Sequence, residues 1–186
     1  KYNLLGNPYP SAISAADFVA ANVGGTNDVL DGTLYFWSHN SPFLSSPTFT
    51  YSTGDYASWN GSGGTATTNA GDGNSTAPDG YIAAGQGFFV KGSDDGGTAV
   101  FKNTMREKGS NLNFYRPNTA QNASNVNAAT SETTTPEKHR VWLNLHGGTN
   151  GFSQALVGYI ANATNGYDKL FDEKTFGGNL VTFYSI

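Results

Sequence analysis

Thr33-Leu34-Tyr35-Phe36-Trp37-Ser38 is the stretch that decides the fold. It is dense in residues that fit a pleated, half-buried surface, and Asp31-Gly32 just before it is turn chemistry. Along a strand, side chains alternate between faces. Either Leu34 and Phe36 or Tyr35 and Trp37 must therefore turn to a core, because side chains this large stabilise mainly by burial.

Reading outward from this strand, Tyr2-Asn3-Leu4-Leu5 predicts an N-terminal strand. It ends at Gly6-Asn7-Pro8-Tyr9-Pro10, where two prolines exclude both a helix and a central ladder. Ser14 followed three residues later by Asp17 resembles a capping box. Ala15 to Asn22 then predicts one short helix that Gly24-Gly25 stops. Further strands are expected at Thr48 to Tyr51, Tyr81 to Lys91, Ala99 to Lys102, Lys138 to Leu145, Gln154 to Ile160 and Leu180 to Tyr184. Short strands separated by Gly and Asn clusters, with a single minor helix, point to an all-β domain. The expected architecture is a β-sandwich, jelly-roll or immunoglobulin-like, spanning residues 1–186. Two stretches contribute little core and are expected to be long polar loops. Asn60 to Gly80 has no Val, Ile, Leu, Met or aromatic residue, and Pro117 to Pro136 has only Val126.

Composition agrees with β structure. The 186 residues include 24 Gly, 20 Asn, 20 Thr and 16 Ser, a mixture unsuited to helical bundles. With 12 Phe, 10 Tyr and 3 Trp, the chain has enough apolar surface to offset its conformational entropy. A net charge of −4 argues against a nucleic-acid partner. No apolar run is long enough to span a membrane, so membrane insertion is not expected. The chain has no Cys, which removes thiol catalysis, disulfides and thiolate metal sites but leaves the compartment open.

Tests for chemistry are negative. Gly151-Phe152-Ser153-Gln154-Ala155 is one residue short of a nucleophile elbow. That elbow needs a strand before it, a helix after it and a later His, whereas His39, His139 and His146 all precede Ser153 and Leu156 to Ile160 reads as a strand. Ser153 is better read as a serine at the start of a strand. His139 and His146 are seven residues apart, so a regular strand points them to opposite faces and they cannot share a metal ion. Asp28, Asp31, Asp72, Asp94, Asp95, Asp168 and Asp172 could supply oxygen ligands but lack EF-hand spacing. Loop-bound Ca²⁺ stays open, and no other cofactor is expected. Glu107, Glu132, Glu137 and Glu173 form no carboxylate pair that spacing alone can establish for a glycosidase. Gly61-Ser62-Gly63-Gly64 lacks the Lys-Ser/Thr and helix of a phosphate loop. Four N-glycosylation sequons, at Asn60, Asn74, Asn122 and Asn162, arise readily in so Asn- and Thr-rich a chain.

Tyr51, Tyr56 and Trp59 cluster near the first polar loop and form a candidate carbohydrate-stacking platform. The competing expectation is that such aromatics are core.

Several whole phrases resemble a known module. They are Gly6-Asn7-Pro8-Tyr9-Pro10-Ser11-Ala12-Ile13, Leu30-Asp31-Gly32-Thr33-Leu34-Tyr35-Phe36-Trp37, Tyr81-Ile82-Ala83-Ala84-Gly85-Gln86-Gly87-Phe88-Phe89-Val90 and Phe101-Lys102-Asn103-Thr104-Met105-Arg106. Arg140-Val141-Trp142-Leu143-Asn144-Leu145, Phe152-Ser153-Gln154-Ala155-Leu156-Val157-Gly158-Tyr159 and Phe176-Gly177-Gly178-Asn179 extend the likeness over nearly the whole chain. Together they resemble a module of Bacteroidota surface proteins exported by the type IX secretion system, found upstream of a C-terminal sorting domain. The resemblance implies that the chain is a segment of a larger exported protein, located outside the cell or on its surface, with adhesion, biofilm or gliding roles. It transfers no catalytic residue. The expected function is thus a non-enzymatic structural or adhesive module whose partners are neighbouring domains or identical subunits, paired through strand edges. The alternative is a carbohydrate-binding module, recognising surface glycans, attached to an exported enzyme.

Overall fold

The structure is a computed structural model that describes residues 1–38, 53–67, 76–111, 113–115, 138–147, 151–174 and 183–184. Tyr2–Gly6 forms strand β1 and stops where Pro8 and Pro10 interrupt the ladder. Asn7 makes the corner. Its buried amide donates to the carbonyls of Ser11, Ile82 and Ala83, and its Oδ1 accepts from Tyr9 N–H at 2.9 Å. A side chain thereby satisfies a turn whose own backbone cannot.

β2 (Ile13–Ser14) leads into helix α1 (Ala15–Asn22), and Ser14 Oγ caps it by accepting from Asp17 N–H at 3.1 Å. The helix buries Ala15, Phe18, Val19 and Asn22. Its length and start match the capping pattern in the sequence, and two glycines of positive φ, Gly24 and Gly25, follow its end.

β3 (Leu30–Trp37), β4 (Tyr56–Trp59), β5 (Gly64–Thr65) and β7 (Gly87–Gly92) join β1 in a five-stranded antiparallel sheet of order β1-β7-β3-β4-β5. β6 (Tyr81–Ile82) pairs with β2, and β8 (His139–Gly147) pairs with β9 (Gly151–Tyr159). Among the described residues α1 is the single α-helix, and the fold is all-β and sandwich-like. The core lies on one face of the five-stranded sheet. There Leu34, Phe36, Trp59, Phe88 and Val90 meet α1 and the β2–β6 pair through Phe18, Ile13 and Ile82. Phe18 stands edge-on to Phe88, with ring centroids 5.4 Å apart.

Four expectations are corrected. Tyr81 to Lys91 is two strands in different sheets. A turn at Ala83–Gln86 redirects the chain, closed by Gln86 N–H to Ala83 O at 3.1 Å and Ala83 N–H to Gln86 Oε1 at 3.2 Å. Ala99 to Lys102 is not a strand, because the Asn22 amide takes up both backbone groups of Val100, accepting from its N–H at 2.7 Å and donating to its carbonyl at 3.0 Å. Asn60 to Gly80 is not wholly loop, since β5 lies within it at the sheet edge. Tyr56 to Trp59, read from sequence only as aromatics beside a loop, is strand β4. The strand expected at 48–51 and the polar stretch 117–136 lie outside the described residues. So does 180–182, while Phe183 and Tyr184 are not in a strand.

Candidate functional site

The face of the five-stranded sheet away from the core is also aromatic. Because Leu34 and Phe36 turn inward, alternation turns Tyr35 and Trp37 outward, with Tyr56 opposite Trp37 and Phe89 opposite Tyr35. Leu4, opposite Phe89 on β1, extends the row to the sheet edge. Tyr56 meets Phe89 edge-on at 5.7 Å, and Tyr2 meets Tyr35 likewise at 5.7 Å.

One half of this face is roofed and the other is open. The roof is a strap around residues 168–173. Gly61 N–H donates to Leu170 O at 2.7 Å, and Asn60 Nδ2 and Ser62 Oγ donate to Phe171 O at 2.9 and 2.8 Å. Ser58 Oγ donates to the Glu173 carboxylate, and Lys169 pairs with Asp28 at 2.8 Å. Two glycines make this approach feasible. At Gly32, whose φ is +83°, a Cβ would stand 2.0 Å from Lys169 O, and at Gly61 a Cβ would stand 2.5 Å from Leu170 O. Beneath the strap Tyr35 is buried, and desolvation followed by the nearby Glu173 charge raises its pKa. Glu173 is exposed as a whole residue, but its carboxyl end is enclosed against Ser58. Desolvation pushes its pKa up to about 7, partly offset by the Ser58 hydrogen bond.

The open half leads into a groove of about 410 Å³ that wraps the Gln86–Phe88 end of β7, lined by Leu4, Trp37, Tyr56 and Phe89 from the outer face and by Phe114 and Tyr115, with Tyr115 packed against the core. Trp37 and Phe114, on its walls, stay 43% and 46% exposed. Tyr115 backs the groove. Its OH donates to Thr76 O at 3.2 Å and its ring lies 5.7 Å from that of Phe36, with burial raising its pKa.

The predicted platform does not assemble. Tyr56 and Trp59 are three residues apart on β4 and point to opposite faces. Trp59 is 8% exposed within the core, so it has no face to stack on a sugar, and Tyr51 lies outside the described residues. Tyr56 does belong to the groove, with Trp37 and Phe114 as partners that sequence proximity missed. The signal that finds Trp37 is strand parity, whereas nothing local in the sequence finds Phe114.

The remaining candidates fall apart spatially. Ser153 is a buried residue of β9 whose Oγ accepts from Phe183 N–H at 3.2 Å, consistent with the strand-serine reading. His139 and His146 sit near the two ends of β8, which pairs with β9 in uninterrupted register, so they face opposite ways as their spacing predicts. His39 lies outside the described residues. Asp31 pairs with Lys91 at 2.8 Å, Asp28 is taken by Lys169, and Asp168 and Asp172 accept backbone N–H groups of their own loop. Asp94 and Asp95 sit in the turn after β7, and Asp72 lies outside the described residues. Among the described residues no three His, Asp or Glu side chains gather as a metal site. Of the glutamates, Glu107 bonds through its backbone to Ala12 O, and Glu132 and Glu137 lie outside the described residues. The Asn60 sequon is occupied structurally, since its amide nitrogen is buried against Phe171 O.

The second two-stranded unit, β8–β9, docks on the β5 edge. Arg140 donates to Ser62 O at 3.2 Å, Trp142 Nε1 to Gly64 O at 3.0 Å, and Ala66 N–H to Gln154 Oε1 at 2.9 Å. Its other face presents Val141, Leu143, Leu145, Val157 and Tyr159, all at least 41% exposed.

Over all of residues 1–186 the chain matches the family described as Domain of unknown function (DUF8693). The chain belongs to this family. No curated protein and no solved structure matches it. The site chemistry of this DUF8693 domain therefore rests on its own geometry: an aromatic groove, a strap closed by Glu173 and an apolar hairpin face.

Proposed function

We propose that this DUF8693 domain is a non-enzymatic structural and adhesive module of a secreted or cell-surface protein. The observation that carries the reading is the apolar face of β8–β9, where Val141, Leu143 and Leu145 stand beside Val157 and Tyr159. A two-stranded ribbon is marginal alone, and an exposed apolar patch of this kind marks a contact surface. The extracellular setting follows from the resemblance of the sequence to type IX secreted surface modules. The test is labelling of intact source cells with antibodies to the purified chain, together with attachment assays in the presence of their Fab fragments. Labelling of intact cells and blocked attachment are expected. Labelling that needs permeabilised cells overturns the reading.

The groove favours a second reading, a carbohydrate-binding module serving an exported enzyme. Trp37 and Phe114 offer partly exposed rings beside Tyr56 and Phe89 in a space of sugar dimensions. A glycan array probed with the native chain and with Trp37→Ala tests it. Binding lost in the variant supports the reading, and the absence of any hit removes it.

A further inference from the structure

The two edges of the five-stranded sheet are treated differently. At β5, side chains of the β8–β9 hairpin occupy the backbone groups that another strand would use. Trp142 Nε1 takes Gly64 O, and Gln154 Oε1 takes Ala66 N–H. That edge is sealed, as natural sheets seal edges against unwanted pairing.

Among the described residues nothing covers the β1 edge in this way. Gly92 N–H bonds to Lys1 O at 2.9 Å and Asn7 N–H to Gln86 O at 3.1 Å, which fixes the ladder: odd-numbered residues of β1 bond inward to β7. In an antiparallel pair the alternate residues aim their N–H and C=O the other way, so those of Leu4 and Gly6 point outward. Among the described residues no strand lies beyond β1. The strand Tyr2–Gly6 carries no charge, proline or bulge to repel a neighbour, and the Leu4 side chain is 64% exposed.

From these features we infer that β1 pairs antiparallel with β1 of a second copy of this chain, about a two-fold axis at Leu4, so that two five-stranded sheets become one. The edge is self-complementary in this register. Each Leu4 exchanges both backbone bonds with the Leu4 of the other copy, and each Tyr2 lies opposite a Gly6 that leaves room for its ring. Antiparallel pairing also keeps the two Lys1 ammonium groups at opposite ends of the seam, where parallel pairing would set them side by side. The two Leu4 side chains meet on the outer face, next to the aromatic groove. This inference deepens the structural half of the proposed function and does not depend on cell-surface location.

Sedimentation of the purified chain over a dilution series tests it, combined with amide hydrogen exchange. The expected result is a particle of twice the 19.6 kDa chain mass at high concentration. Protection of the Leu4 and Gly6 amides should rise with concentration, while the inward-bonded Asn3 and Leu5 amides stay protected throughout. Leu4→Pro removes only an outward N–H, and Leu4→Lys sets two ammonium groups together on the axis. Both should return the mass to that of one chain with the native circular dichroism spectrum retained. A wild-type chain that stays monomeric at its solubility limit overturns the inference, as does a dimer that survives both substitutions, which would place the contact on the β8–β9 face. A monomeric chain that is nonetheless displayed on intact cells would sink the edge pairing and leave the adhesive reading standing.

Discussion

The carbonyl oxygen of Lys169 lies 2.0 Å from the point where a Cβ on Gly32 would be, so a residue of β3 and a strap residue 137 positions later fit only because Gly32 has no side chain. Gly32 also sits at φ +83°, and the β3–β7 register shifts around it between Leu30 and Leu34. Gly32→Ala should therefore destabilise the fold by about 1–3 kcal/mol from backbone strain alone, with the clash added. Urea unfolding measures the loss. Equal midpoints for variant and native chain would show that the strap is not seated on Gly32.

Glu173 makes the strap pH-dependent. An acid whose folded pKa is about 7 against an ordinary 4.5 binds its proton more tightly in the folded state. Its contribution is present in full below about 4.5 and is lost as pH rises to about 7 and above. Melting temperature should fall over that window, and Glu173→Gln should flatten this part of the profile and be the more stable protein at pH 8. Parallel native and variant profiles from pH 4 to 8 would refute the assignment.

The two tryptophans flanking the β3–β4 ladder should respond oppositely. Trp59→Ala empties part of the core and is expected to cost about 3–5 kcal/mol. Trp37→Ala trims a ring that is 43% exposed, so it should change stability far less while widening the groove. Calorimetry on the pair distinguishes core from groove, and similar losses would mean that the faces are misassigned.

Gln154→Ala should leave Ala66 N–H without its acceptor. A cost of about 1–3 kcal/mol is expected for a partly buried donor left unmatched. Faster exchange at the Ala66 amide, with unchanged exchange in β7, would locate the effect at the β5 edge. Uniform acceleration throughout the chain would not fit a local seal.

Much of the fold is legible along the chain. Ser14 and Asp17 mark the start of α1, the prolines after β1 mark its end, and Thr33 to Ser38 announces the central strand. These features are readable because capping, proline geometry and strand alternation act over a few residues. Two readings fail where the partner is distant. Ala99 to Lys102 has strand-forming residues, but Asn22, far away in sequence, takes the Val100 backbone groups. Gly64–Thr65 looks like loop and becomes a strand held between Trp59 and Ser58 on one side and, on the other, Trp142, which is far along the chain and donates to the Gly64 carbonyl.

The candidate site shows the same division. Local sequence determined that the chain is β-rich, that aromatics must occupy both faces of β3, and that His139 and His146 cannot meet on β8. Only the tertiary structure decided which face is core, and so which of Trp37 and Trp59 is buried and which lines the groove. It also decided that Gly32 and Gly61 admit the strap, and that the β5 edge is closed by β8–β9 while among the described residues no strand lies beyond β1. The physical reason is range: propensity and periodicity are set by neighbouring residues, whereas burial, pairing and pKa depend on groups brought together across the chain.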